Sequence, residues 1–422
     1  MLSTEDNKLL TQTNPGTPMG KFFRQHWLPA LHVEELPFAD CPPVRVKLLG
    51  EYLVAYRNTD GEVVLVEEFC PHRNASLYFG RNEQNGIRCV FHGWKFDKNG
   101  KCVEIPSEPR DTNLLNKVCI KSYPCKEFAG IIWTYMGTEK EPPELPQYEF
   151  GRVPDSHRHV TKWHQKCNYV QGIEANMDSS HLSFLHSGGF DKDKDLSSTL
   201  KNYTAPKIEA TRMDYGLLIG AAREIEDGNV YWRATHFVAP CLTLIPRRDG
   251  HTAHAQAWVP IDDENSIGFA ITWHSDRPLT TSEVIDLKEG NQIHAKVNPG
   301  SHIPVYNMDN DYMMNRALQA SGVSYTGIPG VNAQDASVIE STRGIPNRNR
   351  EYLGTSDIAI IQMRRLLMDG ARSLRDGKPF QAADSRQIAR LTSNAGTLPK
   401  GVNFQTGLKE RLGLDYLAEE LK

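Results

Sequence analysis

Cys70-Pro71-His72 and Cys89-Val90-Phe91-His92 constrain this chain more than any other feature. Two Cys and two His fall within 23 positions, as C-x-H, a sixteen-residue gap and C-x-x-H. Thiolates together with imidazoles suit both zinc and iron–sulfur clusters. One residue between Cys70 and His72 is too tight for the usual C-x(2–4)-C knuckle of structural zinc. Two loops, each offering one Cys and one His, fit a two-iron cluster in which both Cys grip one iron and both His the other. A structural zinc site, or unconnected core residues, are the readings left open beside it.

The rest of the composition narrows the class. A chain of 422 residues has room for two or three domains. Its formal charge of −4 and the lack of a long basic run argue against a nucleic-acid partner. No run of 18 apolar residues is present, so no membrane span is expected. The polar, acidic start MLSTEDNKLL lacks the apolar stretch of a signal peptide. The eight Cys in a chain of this size therefore read as reduced cytoplasmic thiols, two of them metal ligands.

The pattern along the chain predicts an α+β protein. Residues 1–24 read as an arm, residues 25–145 as a β-domain and residues 146–422 as a second domain beyond the Pro142-Pro143 and Pro146 breaks. Val44–Leu48 and Tyr52–Arg57 alternate with period two, Asn58-Thr59-Asp60-Gly61 is a hairpin turn, and Val63–Val66 and Ile131–Tyr135 are further strands. Residues 168–186 read as helix and residues 203–275 as strands, including Tyr231–Val238 and His254–Trp258. Residues 290–350 read as long loops with little periodicity except in Asp309–Ala320, residues 355–372 as an amphipathic helix, and the tail after 405 as a short helix.

A second metal site is expected in Asn168–His186. On a helix, Glu174, Asp178 and His181 share one face. His186 lies about 140° from His181 at 3.6 residues per turn, so the helix must bulge or end between them. Ser187-Gly188-Gly189 is a plausible stop. Two His beside carboxylates suit a 2-His-1-carboxylate non-haem iron. Asp357, at the edge of the buried stripe of the 355–372 helix, is the expected third ligand; its other reading is an acidic residue favoured by the helix dipole.

With both sites placed, the chain resembles the Rieske non-haem iron aromatic-ring-hydroxylating oxygenases, in the phthalate dioxygenase branch. The resemblance rests on C-P-H…C-V-F-H-G-W, N-Y-V-Q-G-I-E-A-N-M-D-S-S-H-L-S-F-L-H, L-G-T-S-D, G-T-P-M-G and Y-T-G-I-P-G-V-N-A-Q-D. It implies a Rieske β-domain joined to a helix-grip catalytic domain, an antiparallel sheet covered by helices. It implies a [2Fe–2S] cluster on Cys70, His72, Cys89 and His92, and Fe(II) on His181, His186 and Asp357. It also implies a homotrimer, or stacked trimers, in which Asp178 bridges a cluster His and an iron His across the subunit interface.

The resemblance further implies cis-dihydroxylation of an aromatic carboxylate with O2. No dinucleotide-binding G-x-G-x-x-G and no flavin signature is evident, so electrons are expected from a separate NAD(P)H-dependent flavin reductase. A carboxylate substrate wants an Arg fork, and Arg212, Arg223, Arg233, Arg247 and Arg248 are the candidates. A monooxygenase or O-demethylase with the same metals, and a non-catalytic Rieske electron carrier, are the competing readings.

Overall fold

The computed structural model describes residues 1–422 apart from 110–112, 140, 188–193, 226–227, 403–405 and 408–422. Two helices open the chain, Thr4–Thr11 and Pro18–Arg24, capped by the Ser3 and Thr17 hydroxyls. Three small sheets follow. Val44–Leu48, Glu51–Arg57, Val63–Glu67 and Ser122–Tyr123 form one; four three-residue strands between Arg81 and Glu104 form the second. Trp27–His32 pairs with Ile131–Tyr135, and so ties the start of this region to its end. The predicted turn closes the hairpin in which Arg57 faces Val63, with Gly61 at φ +83°.

The second half is built on an eight-stranded antiparallel sheet. Its order is Arg158–Gln165, Ser266–Trp273, Ala253–Pro260, Leu242–Ile245, Val230–Val238, Gly216–Glu224 and Lys207–Met213, with Asn394–Leu398 added to Val230–Val238. Mixed helices and antiparallel sheets meet the α+β expectation. Directly opposed residues share a face, so Arg223, Tyr231, Arg233, Thr243, Gln256 and Trp258 lie on one side of this sheet.

That side carries the helix Tyr169–Met177. The helix comes close because Gly172 has no side chain: a Cβ there would stand 2.1 Å from the Trp258 ring. Its other residues are tethers. Asn168 caps the helix and also donates to Thr11 O at 2.9 Å and Asp263 O at 2.7 Å. Tyr169 donates to Leu10 O at 2.6 Å, and Gln171 donates to Thr342 Oγ1 at 2.8 Å and Gly344 O at 3.0 Å. The arm and the distant segment 331–344 thus grip the same helix.

Two expectations are corrected. The helix ends at Met177, capped by Asp178, and His181–Ser183 is a separate 3₁₀ turn. Glu174 therefore does not share a helix face with His181; it pairs with the buried Arg348 and Arg364. The 290–350 segment is not all loop, for it contains the helix Val331–Ser341. The amphipathic helix is present as Ile358–Arg375. Gly188, Gly189 and most of the tail after 405 lie outside the described residues. Among the described residues no helix is long and apolar enough to cross a membrane.

Candidate metal centres

The two cluster loops are built alike. Cys70 N–H donates to Ala75 O, five residues on, and Asn74 N–H returns to Cys70 O; Cys89 N–H donates to Trp94 O and Gly93 N–H returns to Cys89 O. In each loop the fourth residue after the Cys is left-handed, Asn74 at φ 57° and Gly93 at φ 77°. These turns aim the Cys inward and the His outward. Cys70 and Cys89 are buried free thiols; His72 and His92 are half-buried with ring centroids 4.4 Å apart. Burial, and then the neighbouring Cys89, pushes the Cys70 thiol up to about 12. Two confined thiols facing one another, with two imidazoles side by side at the surface, fit a cluster whose one iron takes sulfur and whose other takes nitrogen. Trp94 lies flat on His72, with centroids 4.6 Å apart and planes within 3°, and so holds that imidazole.

The second centre gathers around the turn after Met177. His181 and His186 stand at 79° with centroids 4.9 Å apart. The carboxylate that meets them is Asp335, on the helix Val331–Ser341. Its Oδ1 is 3.1 Å from His186 Nε2 and 3.9 Å from His181 Nε2, and one ligand atom from each residue lies within 4.8 Å of the others. Among the described residues that buried Oδ1 has these ion-pair contacts but no aligned hydrogen-bond donor. A buried carboxylate oxygen facing two imidazole nitrogens with no aligned donor is costly unless a cation joins them. Burial works against the Asp335 charge, yet His186 and His181 hold its carboxyl below the usual range. These three donors fit a two-histidine, one-carboxylate iron site.

Asp357 is not there. Its carboxylate accepts the Gly354 N–H at 2.7 Å and closes the turn that starts the helix Ile358–Arg375. Its helix-start reading is the one the geometry favours. Asp178 does reach the site: Oδ2 stands 3.4 Å from His181 Nδ1, and Oδ1 accepts the Ser180 N–H at 2.6 Å. Its carboxyl too sits below the usual range, where His181 outweighs the effect of burial.

The five arginines separate cleanly. Arg212 is exposed, pairs with Asp369 at 2.9 Å and lines a separate cleft of about 390 Å³ with Phe22, His26 and Tyr148. Arg223 is buried and engaged by Tyr203 O, Ser179 Oγ and Ser179 O. Arg247 is held by Ser275 and Glu149, and Arg248 by His251. Arg233 alone of the five is half-buried on the site face of the sheet with no hydrogen-bond or ion-pair partner among the described residues. Its charge is felt by its neighbours: after burial, it pushes Arg223 down to about 10 and His254 down to about 4. The hydroxyl of Tyr231, next along that face, is buried without a hydrogen-bond partner among the described residues.

Residues 26–124 match the Rieske [2Fe-2S] domain family, and residues 134–412 match the family described as LigXa C-terminal domain like. The chain is 35% identical to the 3-chlorobenzoate-3,4-dioxygenase oxygenase subunit of Comamonas testosteroni, with 98% of this chain and 99% of that one covered. It is 34% identical to the phthalate 4,5-dioxygenase oxygenase subunit of Pseudomonas putida, covering 96% and 94%. Among solved structures it is similar to NdmA of Pseudomonas putida CBB5 with caffeine, at TM-score 0.60 and 19% identity over 90% of this chain and 98% of that one. Dicamba monooxygenase bound to dicamba gives TM-score 0.57 at 18% identity, covering 85% and 100%.

Proposed function

We propose a substrate and site assignment for a chain that belongs to the Rieske non-haem iron aromatic-ring-hydroxylating oxygenases: it is the oxygenase component of a multicomponent dioxygenase, with a [2Fe–2S] cluster and Fe(II), and such components use O2 and a reductase partner. The substrate is an aromatic carboxylate, and the reaction is its cis-dihydroxylation. The observation that carries this substrate class is Arg233, a half-buried guanidinium with no hydrogen-bond or ion-pair partner among the described residues, on the sheet face that carries the site helix. A planar fork offering two parallel N–H donors matches a carboxylate. Two relatives, named for 3-chlorobenzoate and phthalate, act on molecules of that class.

Cys70 and Cys89 would hold one cluster iron and His72 and His92 the other; His181, His186 and Asp335 would hold Fe(II). When bound, the cluster supplies single electrons and Fe(II) supplies the site of O2 chemistry. The chain's own residues do the rest. Asp178 faces His181 Nδ1 and would orient Nε2 toward Asp335. Arg233 anchors the carboxylate and presents the ring. Phe69, Val90 and Phe91, exposed beside the cluster ligands, form an apolar rim that a second copy of the chain would cover. That contact would place Asp178 between a cluster His and an iron His in a homotrimer. The electron source is an NAD(P)H-dependent flavin reductase, and the setting is the cytoplasm.

The test is product analysis with phthalate and 3-chlorobenzoate under labelled O2. Two labelled oxygens in one ring product support dioxygenation. One labelled oxygen, or a demethylated product from a methoxylated acid, replaces it with monooxygenation.

A further inference from the structure

The two histidines of the iron site are held from behind by different chemistry. His181 Nδ1 faces the Asp178 carboxylate. His186 Nδ1 faces a neutral amide, Gln334 Oε1, at 2.8 Å. The amide has one orientation, because Gln334 Nε2 donates to Ile328 O at 3.0 Å. With the nitrogen committed to a carbonyl, the oxygen is what meets the ring, and an oxygen of this kind only accepts. His186 Nδ1 therefore carries the proton, and Nε2 offers its lone pair on the side where Asp335 Oδ1 stands 3.1 Å away.

The support continues into the backbone. Gln334 is buried, and two residues earlier Asn332 N–H donates to Gln292 O at 3.0 Å while its side-chain amide donates to Ile293 O at 3.2 Å. The first turn of the helix Val331–Ser341 is thus pinned to the segment that also receives Gln256 from the sheet at 3.0 Å. Gln334 and Asp335, adjacent in sequence, approach the same imidazole from its two nitrogens.

We propose that Gln334 is a positioning residue that fixes the tautomer and tilt of His186, and that retention of the mononuclear iron depends on it. The inference rests on the reading of His181, His186 and Asp335 as the iron ligands. Partners of this kind change metal affinity by roughly 10–100-fold when removed. Gln334→Leu keeps the bulk and removes both hydrogen bonds. Gln334→Glu restores an acceptor for His186 Nδ1.

The experiment is chelator competition for mononuclear Fe(II) on the holoenzyme, with cluster absorbance recorded beside it. Gln334→Leu is expected to weaken iron binding by about 10–100-fold with the cluster intact, and Gln334→Glu to recover most of the loss. Asp335→Ala separates the two layers of the claim. If Asp335→Ala loses iron and Gln334→Leu holds it as tightly as the wild type, the role of Gln334 is overturned and the ligand set stands. If Asp335→Ala also holds iron normally, the ligand set falls and the Gln334 inference with it. Should Gln334→Leu lose the cluster as well, Gln334→Glu decides: wild-type iron affinity supports the role, and a loss equal to that of Leu overturns it.

Discussion

The cluster loops and the iron site each use two histidines, yet they are assembled in opposite ways. The cluster ligands come from two copies of one tight turn, each closed by hydrogen bonds within six residues, Cys70–Ala75 and Cys89–Trp94. The proposed iron site takes two histidines from a short turn and its carboxylate from a helix far along the chain. The first is a local device set at the surface, with half-buried imidazoles. The second exists only once the arm, the sheet and the 331–344 segment have closed on the helix Tyr169–Met177. Local closure makes the cluster motif tolerant of its surroundings, whereas the iron site inherits every fault in the packing around it.

That contrast can be pressed hardest at Asp178, the residue proposed to join the two centres. Asp178→Asn is expected to keep the cluster and the mononuclear iron while turnover falls about 100-fold or more. Coupled oxygen uptake near the wild-type rate would separate Asp178 from the electron path. Next in size, Arg233→Met should raise KM for a carboxylate substrate by about 10–150-fold, the equivalent of about 1.5–3 kcal/mol in charged hydrogen bonds. The same change at Arg247, already held by Ser275 and Glu149, should leave KM within a few-fold; an inverted ranking would move the carboxylate site.

Acid should weaken the catalytic sheet. Burial, ahead of nearby cations, depresses His159 and His254 to about 4. The unfolded chain takes up these protons near pH 6.5 and the folded chain only near 4, so this stability is full above about 6.5 and declines as pH falls to about 4. Unfolding free energies from denaturant titrations across that window should drop by at most about 1.4 kcal/mol per pH unit for each histidine, and His254→Gln should flatten the slope. A slope unchanged in that variant would remove His254 from the account. The smallest effect belongs to Asp357→Ala, which loses a helix-start contact worth about 1 kcal/mol and should retain its iron.

The difference between the regions also governs what could be read in advance. Cys70, His72, Cys89 and His92 are legible because their spacing is the geometry: the loop closes within itself. His181 and His186 are legible as a pair from their nearness in sequence, although the helix expected to carry them ends at Met177. Asp335 is not. Its helix buries Asn332, Gln334 and Glu340 beside Ala333, Ala336 and Ile339, so no apolar stripe marks it out among the turn residues around it. Asp357 drew attention because helix-capping chemistry is conspicuous in sequence, and capping is the role the structure gives it. Of the arginines, sequence supplied the candidates; only the register of the sheet and the partners of each side chain single out Arg233.

The central claim, that Asp335 completes the iron site with His181 and His186, is tested most directly by counting iron and acid-labile sulfide per chain in wild type and Asp335→Ala. The account predicts about three irons and two sulfides in the wild type, and about two of each in the variant with its cluster absorbance intact. Three irons retained in Asp335→Ala, with the third lost instead from Asp357→Ala, would contradict it.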